Sequence, residues 1–165
     1  FKNGNENWIA FVGLQDGRPY EIFTGKIEED AMYIPPKINK GFIIKVREEN
    51  GSKRYDFQYI DRYGYTNTIG GISRLFNEEF WNYAKLISGV LRHGMPIEKT
   101  VSLIESLHLD SESINTWKLG VERALKQYIS DGTKTKAKCP SCGQETMAYQ
   151  NGCLTCMSCG YSKCG

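Results

Sequence analysis

The chain predicts an α+β fold: antiparallel β hairpins come first, three helices follow, and a small zinc ribbon closes the chain. Three observations carry this expectation. Up to about residue 60, apolar and aromatic residues run in short β-rich stretches punctuated by Gly- and Asn-containing turns. From Asn77 the apolar period lengthens from two to 3.6 residues. All six cysteines fall at or after Cys139, so everything upstream lacks a thiol. The resulting division is a polar lead-in over 1–7, an α+β domain over 8–130, a lysine-rich linker over 131–138 and a ribbon over 139–165.

In chain order, Trp8-Ile-Ala-Phe-Val-Gly13 and Pro19-Tyr-Glu-Ile-Phe-Thr24 flank the turn signal Asp16-Gly17 and predict a hairpin. Pro35 and Pro36 bar a central strand in Ala31-Met-Tyr-Ile-Pro-Pro36. Gly41-Phe-Ile-Ile-Lys-Val-Arg47 and Lys53-Arg-Tyr-Asp-Phe-Gln-Tyr-Ile60 form a second hairpin around Glu49-Asn-Gly51. Tyr55, Phe57 and Tyr59 invite a base-stacking reading, but acids on and beside the same strand, Glu48, Glu49 and Asp56, favour core packing.

Asn77 is placed to cap the first helix, with Phe76 and Trp81 as a hydrophobic staple. Phe80, Tyr83, Ala84, Ile87, Val90 and Leu91 make its apolar face, and Gly94 ends it. Pro96 opens a second helix with Ile97, Val101, Ile104 and Leu107 on one side. Asp110 is expected to cap a third, whose face is Ile114, Trp117, Val121, Ala124, Leu125 and Tyr128, with Gly132 as the stop. His93 and His108 have no neighbour at metal-ligand or triad spacing, and Asp16, Arg18 and Glu21 read as turn and surface chemistry. No phosphate-binding glycine loop or nucleophile elbow is present, so no complete active site is visible.

The size and composition, 165 residues with 40% hydrophobic and 12% aromatic, suit one ordinary domain with a small appendage. A net charge of +2 does not by itself indicate nucleic acid or an acidic membrane surface, and Lys134, Lys136 and Lys138 read as a solvated linker. No apolar run approaches the ~18 residues of a membrane span and no signal peptide is seen, so the expected location is cytoplasmic. A start at Phe1 rather than Met suggests a piece of something longer.

Thiolates in C-x-x-C pairs lie close enough to share one tetrahedral ion, and soft sulfur donors suit zinc. Cys139-Pro-Ser-Cys142-Gly and Cys156-Met-Ser-Cys159-Gly each place a glycine after the second thiol, where the backbone must turn tightly. A reducing compartment with bound metal fits better than three disulfides, because disulfide-stapled domains distribute their cysteines throughout. A ribbon needs four ligands, and the tail has six.

Asp16-Gly-Arg-Pro-Tyr-Glu-Ile-Phe23, the helix Trp81-Asn-Tyr-Ala-Lys-Leu-Ile-Ser-Gly-Val-Leu-Arg-His-Gly-Met-Pro96 and the ending from Gly152 to Gly165 resemble the C-terminal region of ribonucleotide reductases. The nearest type is the adenosylcobalamin-dependent class II enzyme with a cysteine-rich tail. The first part is similar to a domain named after a Thr-Ser-Cys-Pro-Asp motif, although Thr68-Ile-Gly-Gly71 stands in the comparable region.

The resemblance implies that the catalytic barrel, its radical cysteine and its adenosylcobalamin lie upstream of Phe1. It also implies that this region is inactive alone, serving as part of a ribonucleoside-diphosphate reductase. Tail thiols would re-reduce the active site of the same or a neighbouring chain and be reduced in turn by an external reductant, in an enzyme expected to be a homo-oligomer.

Three partitions of the cysteines follow. Cys139, Cys142, Cys156 and Cys159 hold zinc while Cys153 and Cys164 exchange. Or Cys153 and Cys156 complete the zinc site and Cys159 pairs with Cys164, a spacing that resembles the tail dithiol of other ribonucleotide reductases. Or all six are structural. The competing functional class is a non-catalytic zinc-ribbon adaptor for nucleic acid or protein.

Overall fold

The computed structural model describes residues 2–3, 6–27 and 32–164. Phe1, Gly4 and Asn5 of the lead-in, Ala31 at the head of the proline-containing run, and Gly165 lie outside the described residues. Strands precede helices, and a further three-stranded unit follows them, so the α+β architecture is the one the periodicity predicts.

The first sheet has the order β1-β2-β3, with β1 at Lys2–Asn3, β2 at Glu6–Gln15 and β3 at Arg18–Ile27. Part of the expected lead-in is therefore an edge strand: Lys2 pairs with Asn7. The β2–β3 turn is the two-residue kind that Asp16-Gly17 announces, both residues having positive φ (52° and 77°), which matches the right-handed twist of the strands. The second sheet runs β4-β5-β6, with β4 at Phe42–Arg47, β5 at Lys53–Ile60 and β6 at Thr66–Ile69. The prolines at 35 and 36 sit in a turn between the sheets, where the Ile38 amide donates to the Pro35 carbonyl.

The first sheet is buried on both faces, because alternate β2 residues enter different cores. Trp8 and Val12 face the helices together with Ile22 of β3. Ile9 and Phe11 face the second sheet, where Phe23, Phe57, Tyr59, Ile72 and Phe76 complete another apolar cluster. Three layers result: second sheet, first sheet, helices. The layers press closely at Gly25, where an added Cβ would come within 2.6 Å of the Phe76 ring.

Helix α1 spans Glu78–Arg92, and the Asn77 side chain accepts from the Glu79 amide at 2.8 Å, the expected cap. Phe76 and Trp81 belong to one cluster, as the staple requires. Gly94, at φ 83°, turns the chain out of the helix. Helix α2 is Ile97–Glu105, with Pro96 at the cap position just ahead of its first residue.

Helix α3 is Glu112–Lys126, and its start and stop both differ from expectation. Its cap is Ser111, not Asp110: Ser111 is the last extended residue (φ −110°, ψ 150°), and its hydroxyl accepts from the Ile114 amide. Gly132 does not stop the helix, which ends at Lys126, and Ile129 rather than Tyr128 takes the buried place beyond it. Instead Gly132 (φ 82°) turns the chain so that its amide donates to the Tyr149 carbonyl.

The third sheet, order β7-β8-β9, comprises β7 at Met147–Gln150, β8 at Cys153–Cys156 and β9 at Ser162–Lys163. The first half of the expected linker is not a free tether. The Thr133 carbonyl accepts from the Tyr149 amide, the Thr135 amide donates to the Met147 carbonyl and Lys134 bridges to Ala148, so 132–135 lies along β7. The ribbon is also docked on the helices. Tyr149, 5% exposed, belongs to the helical core, and Leu154 packs against it. Gly152, in the β7–β8 turn, lies over the end of α3, where a Cβ would sit 3.4 Å from Gln127 Cα. The Asn151 amide in the same turn donates to Asp131 Oδ1 at 2.7 Å. No helix among the described residues is long and apolar enough to cross a membrane.

Candidate metal and thiol centre

Two tight turns and one strand end bring four sulfurs together. At the first turn the Cys139 amide donates to the Gln144 carbonyl, and the Gly143 amide returns to the Cys139 carbonyl, with Gly143 at φ 72°. At the second turn, the Gly160 amide (φ 76°) donates to the Cys156 carbonyl, and the Cys156 amide donates to the Tyr161 carbonyl. These turns fold Cys142 and Cys159 back towards Cys139 and Cys156. Met147, 2% exposed, forms the apolar floor with Cys139 and Cys156, so the inner two cysteines are buried and the outer two exposed.

The ligand sulfurs of Cys139, Cys142, Cys156 and Cys159 all lie within 4.8 Å of one another. Cys139 Sγ is 3.6 Å from Cys159 Sγ, and Cys142 Sγ is 3.7 Å from Cys156 Sγ. A tetrahedral zinc site with Zn–S bonds of about 2.3 Å has sulfur–sulfur edges of roughly 3.8 Å, so the donor set fits that ion in number, type and spacing.

The local electrostatics favour a cation. The Thr146 hydroxyl, 3.3 Å from Cys156 Sγ, and the amides of Cys159 and Ser158 pull the Cys156 thiol down to about 6. Cys142 moves the other way, to about 12: the Gln144 amide favours its thiolate, but desolvation and the neighbouring Cys159, Cys139 and Cys156 sulfurs outweigh it. Each ionisation in such a group opposes the next. A dication removes that opposition, and binding it would release the remaining protons.

The other two cysteines are joined to each other: Cys153 and Cys164 form a disulfide. Cys153 begins β8 and Cys164 follows β9, beside the cross-strand pair Leu154 and Lys163, so the bond staples the last strand to its neighbour. Cys164 is exposed and Cys153 half-buried. Cys159 stands among the four clustered sulfurs and not against Cys164.

The other polar candidates do not converge on this centre. His93 is the exposed C-cap of α1, and His108 is exposed in the α2–α3 turn. Arg18 donates to the Met95 carbonyl at 2.8 Å, and Glu21 pairs with Arg92 at 2.5 Å, so both tie the first hairpin to the end of α1. What sequence reasoning missed is the strand-like use of 132–135, whose Thr-Lys alternation carries no apolar signal.

These features define a class: a three-layer α+β domain with a docked cysteine ribbon that contains a metal-fitting quartet and a separate disulfide. The chain belongs to the family of NrdJ homologue C-terminal domains, whose model matches residues 1–130. This membership agrees with a C-terminal region of a class II ribonucleotide reductase, and the cysteine ribbon lies beyond the matched residues. No curated protein and no solved structure matches the chain.

Proposed function

We propose that this chain is the electron-relay and assembly module of a class II ribonucleotide reductase. In this reading Cys153 and Cys164 exchange with the active site, while Cys139, Cys142, Cys156 and Cys159 hold a structural zinc. The observation that supports it is the sorting of six cysteines into a quartet with tetrahedral spacing and one bonded pair that reaches the surface. The matched family supplies the enzyme context.

Reduced Cys164, the exposed partner, attacks one sulfur of the oxidised active-site pair as a thiolate, and the bond between those two sulfurs breaks. Cys153 then attacks Cys164 Sγ, the mixed disulfide breaks, and the active-site pair leaves as two thiols with two electrons and two protons. The module is left with the Cys153–Cys164 bond, which an external dithiol reopens by the same chemistry. Because Cys164 lies just past β9, opening that bond releases the Cys164 side chain from β8 while the quartet and Tyr149 keep the rest of the ribbon docked. The partners are therefore the catalytic barrel of the same or a neighbouring chain and the external reductant, within a homo-oligomeric enzyme whose adenosylcobalamin belongs to the barrel.

The test is Cys164→Ser in the full-length enzyme. Zinc content and a single turnover by prereduced enzyme should be unchanged, and repeated turnover with a protein reductant should be lost. A small dithiol that enters the active site should restore it. Wild-type repeated turnover without that bypass would remove the relay role and leave a structural zinc-ribbon adaptor as the reading.

A further inference from the structure

Apart from the cysteine centre, a cavity opens where the first sheet, the second sheet and α1 meet. It is lined by Ile22 and Phe23 of β3, Lys53 and Tyr55 of β5, and Trp81, Lys85, Ser88 and Arg92 of α1, and it has a volume of ≈ 300 Å³. It combines a wall of aromatic rings with a rim whose charged side chains are all cationic.

The rings form a connected set. Trp81 stacks on Phe23 with centroids 5.2 Å apart at 21°, and Tyr55 is tilted against both, 5.1 Å from Phe23 and 6.0 Å from Trp81. Phe23 is buried, whereas Tyr55 and Trp81 are only partly covered and offer ring surface to the cavity. The Lys85 ammonium sits 5.8 Å from the Trp81 centroid, and Lys45 sits 6.0 Å from that of Tyr55, so cations already occupy positions over the rings.

The charge is concentrated beyond what composition predicts. The whole chain carries +2, yet Lys53, Lys85 and Arg92 converge here and no carboxylate lines the cavity. Register adds Lys45, opposite Tyr55, and Arg47, opposite Lys53, on the same face of the second sheet. The nearby acid Glu21 is paired with Arg92. Lys53 and Lys85 are exposed, and among the described residues neither meets a carboxylate. The floor has little to read with: the Ser88 hydroxyl is committed to Ile22, accepting from its amide at 3.1 Å and donating to its carbonyl at 3.3 Å.

From these features we infer that the cavity binds a nucleoside polyphosphate, the base against Trp81 and Tyr55 and the phosphates on Lys53 and Lys85. A volume of ≈ 300 Å³ is at the lower end for small-molecule sites, enough for a base and sugar with the phosphates at the rim. Stacking is tolerant of base identity, and the committed Ser88 adds no discrimination, so the site needs a base but distinguishes little between one base and another. This inference stands apart from the thiol relay and survives or fails without it.

The test uses the 165-residue chain with ADP as probe, read by calorimetry and by tryptophan fluorescence. Trp8 and Trp117 are 3% and 1% exposed, so quenching by ligand reports on Trp81. Saturable binding with quenching is expected, and adenosine and inorganic tripolyphosphate should each bind at least tenfold more weakly than ADP, because each engages only the rings or only the cations. Lys53→Ala combined with Lys85→Ala should weaken ADP by about tenfold or more, because each variant removes a charge-assisted hydrogen bond to phosphate. Both side chains are exposed, so the variant should keep the parent melting temperature, and Lys136→Ala should bind as the parent does. Absence of ADP binding at millimolar concentration overturns the inference, as does tripolyphosphate binding as tightly as ADP. Binding of an oligothymidylate without binding of ADP overturns it too, and would mark the surface as one for single-stranded nucleic acid.

Discussion

Replacing Tyr149 by Ala tests whether the ribbon is part of the same folding unit as the helices. Tyr149 enters the helical core from β7 with 5% of its surface exposed, and burial followed by the Glu105 charge pushes its phenol above the ordinary range. Truncating a buried aromatic residue to Ala costs about 3–5 kcal/mol. The lower end, about 3 kcal/mol, applies because a wettable cavity of ≈ 320 Å³ adjoins Tyr149 between α2, α3 and the ribbon, so the void can fill with water. The assay is urea unfolding followed by the fluorescence of Trp117, which is 1% exposed in the helical core and remote in sequence from the substitution. A docked ribbon predicts one transition, shifted by that amount. If the Trp117 transition moves by less than about 1 kcal/mol while the ribbon becomes protease-sensitive, the ribbon unfolds alone and the coupling argument fails.

Two further predictions concern charge and metal. Burial opposes ionisation of Asp56, but the Gly71 amide at 2.7 Å and the Arg54 guanidinium outweigh it and hold the carboxyl below its usual range. A depressed folded value stabilises the fold above the unfolded value and loses that effect as pH falls. The stability gap between parent and Asp56→Asn should therefore be about 1.5–3 kcal/mol at neutral pH and narrow as pH falls through the ordinary carboxylate range and below it, and a gap that does not narrow would contradict this. The Cys139→Ser, Cys142→Ser double variant should lose the one zinc per chain expected of the parent, measured by elemental analysis. Full zinc retention would mean that the quartet is not the metal site.

Where local chemistry dominates, the sequence was a sufficient guide. Asp16-Gly17 and Asn77 each satisfy backbone demands with their own atoms or conformations, so their turn and cap were legible. Ser111 was harder to pick out because Asp110 is an equally good cap beside it, and only the position of the first helical turn separates them. Strand β6, with Thr66, Asn67 and Thr68, has no apolar alternation and forms because β5 offers it an edge. The same applies to 132–135, where tertiary pairing overrides a lysine-rich, linker-like composition. At the thiol centre, spacing singled out Cys139 and Cys142 as one pair, but it left Cys156–Cys159 and Cys153–Cys156 open as the second, and with them the choice between Cys153 and Cys159 as the partner of Cys164. Strand register now pairs Leu154 with Lys163 and so brings Cys153 beside Cys164. The aromatic cavity was out of reach, because its cations come from β5 and α1, segments that only the fold brings together.

The relay is tested most directly by mapping the redox state of each cysteine before and after one turnover of the prereduced full-length enzyme with its ribonucleotide. Free thiols are alkylated under denaturing conditions with zinc removed, disulfides are then reduced and labelled with a second reagent, and the tail peptides are read by mass spectrometry. Cys153 and Cys164 are expected to pass from the first label to the second together, while Cys139, Cys142, Cys156 and Cys159 keep the first. A tail in which Cys153 and Cys164 stay reduced after turnover, or in which Cys159 is oxidised with Cys164 in place of Cys153, would contradict it.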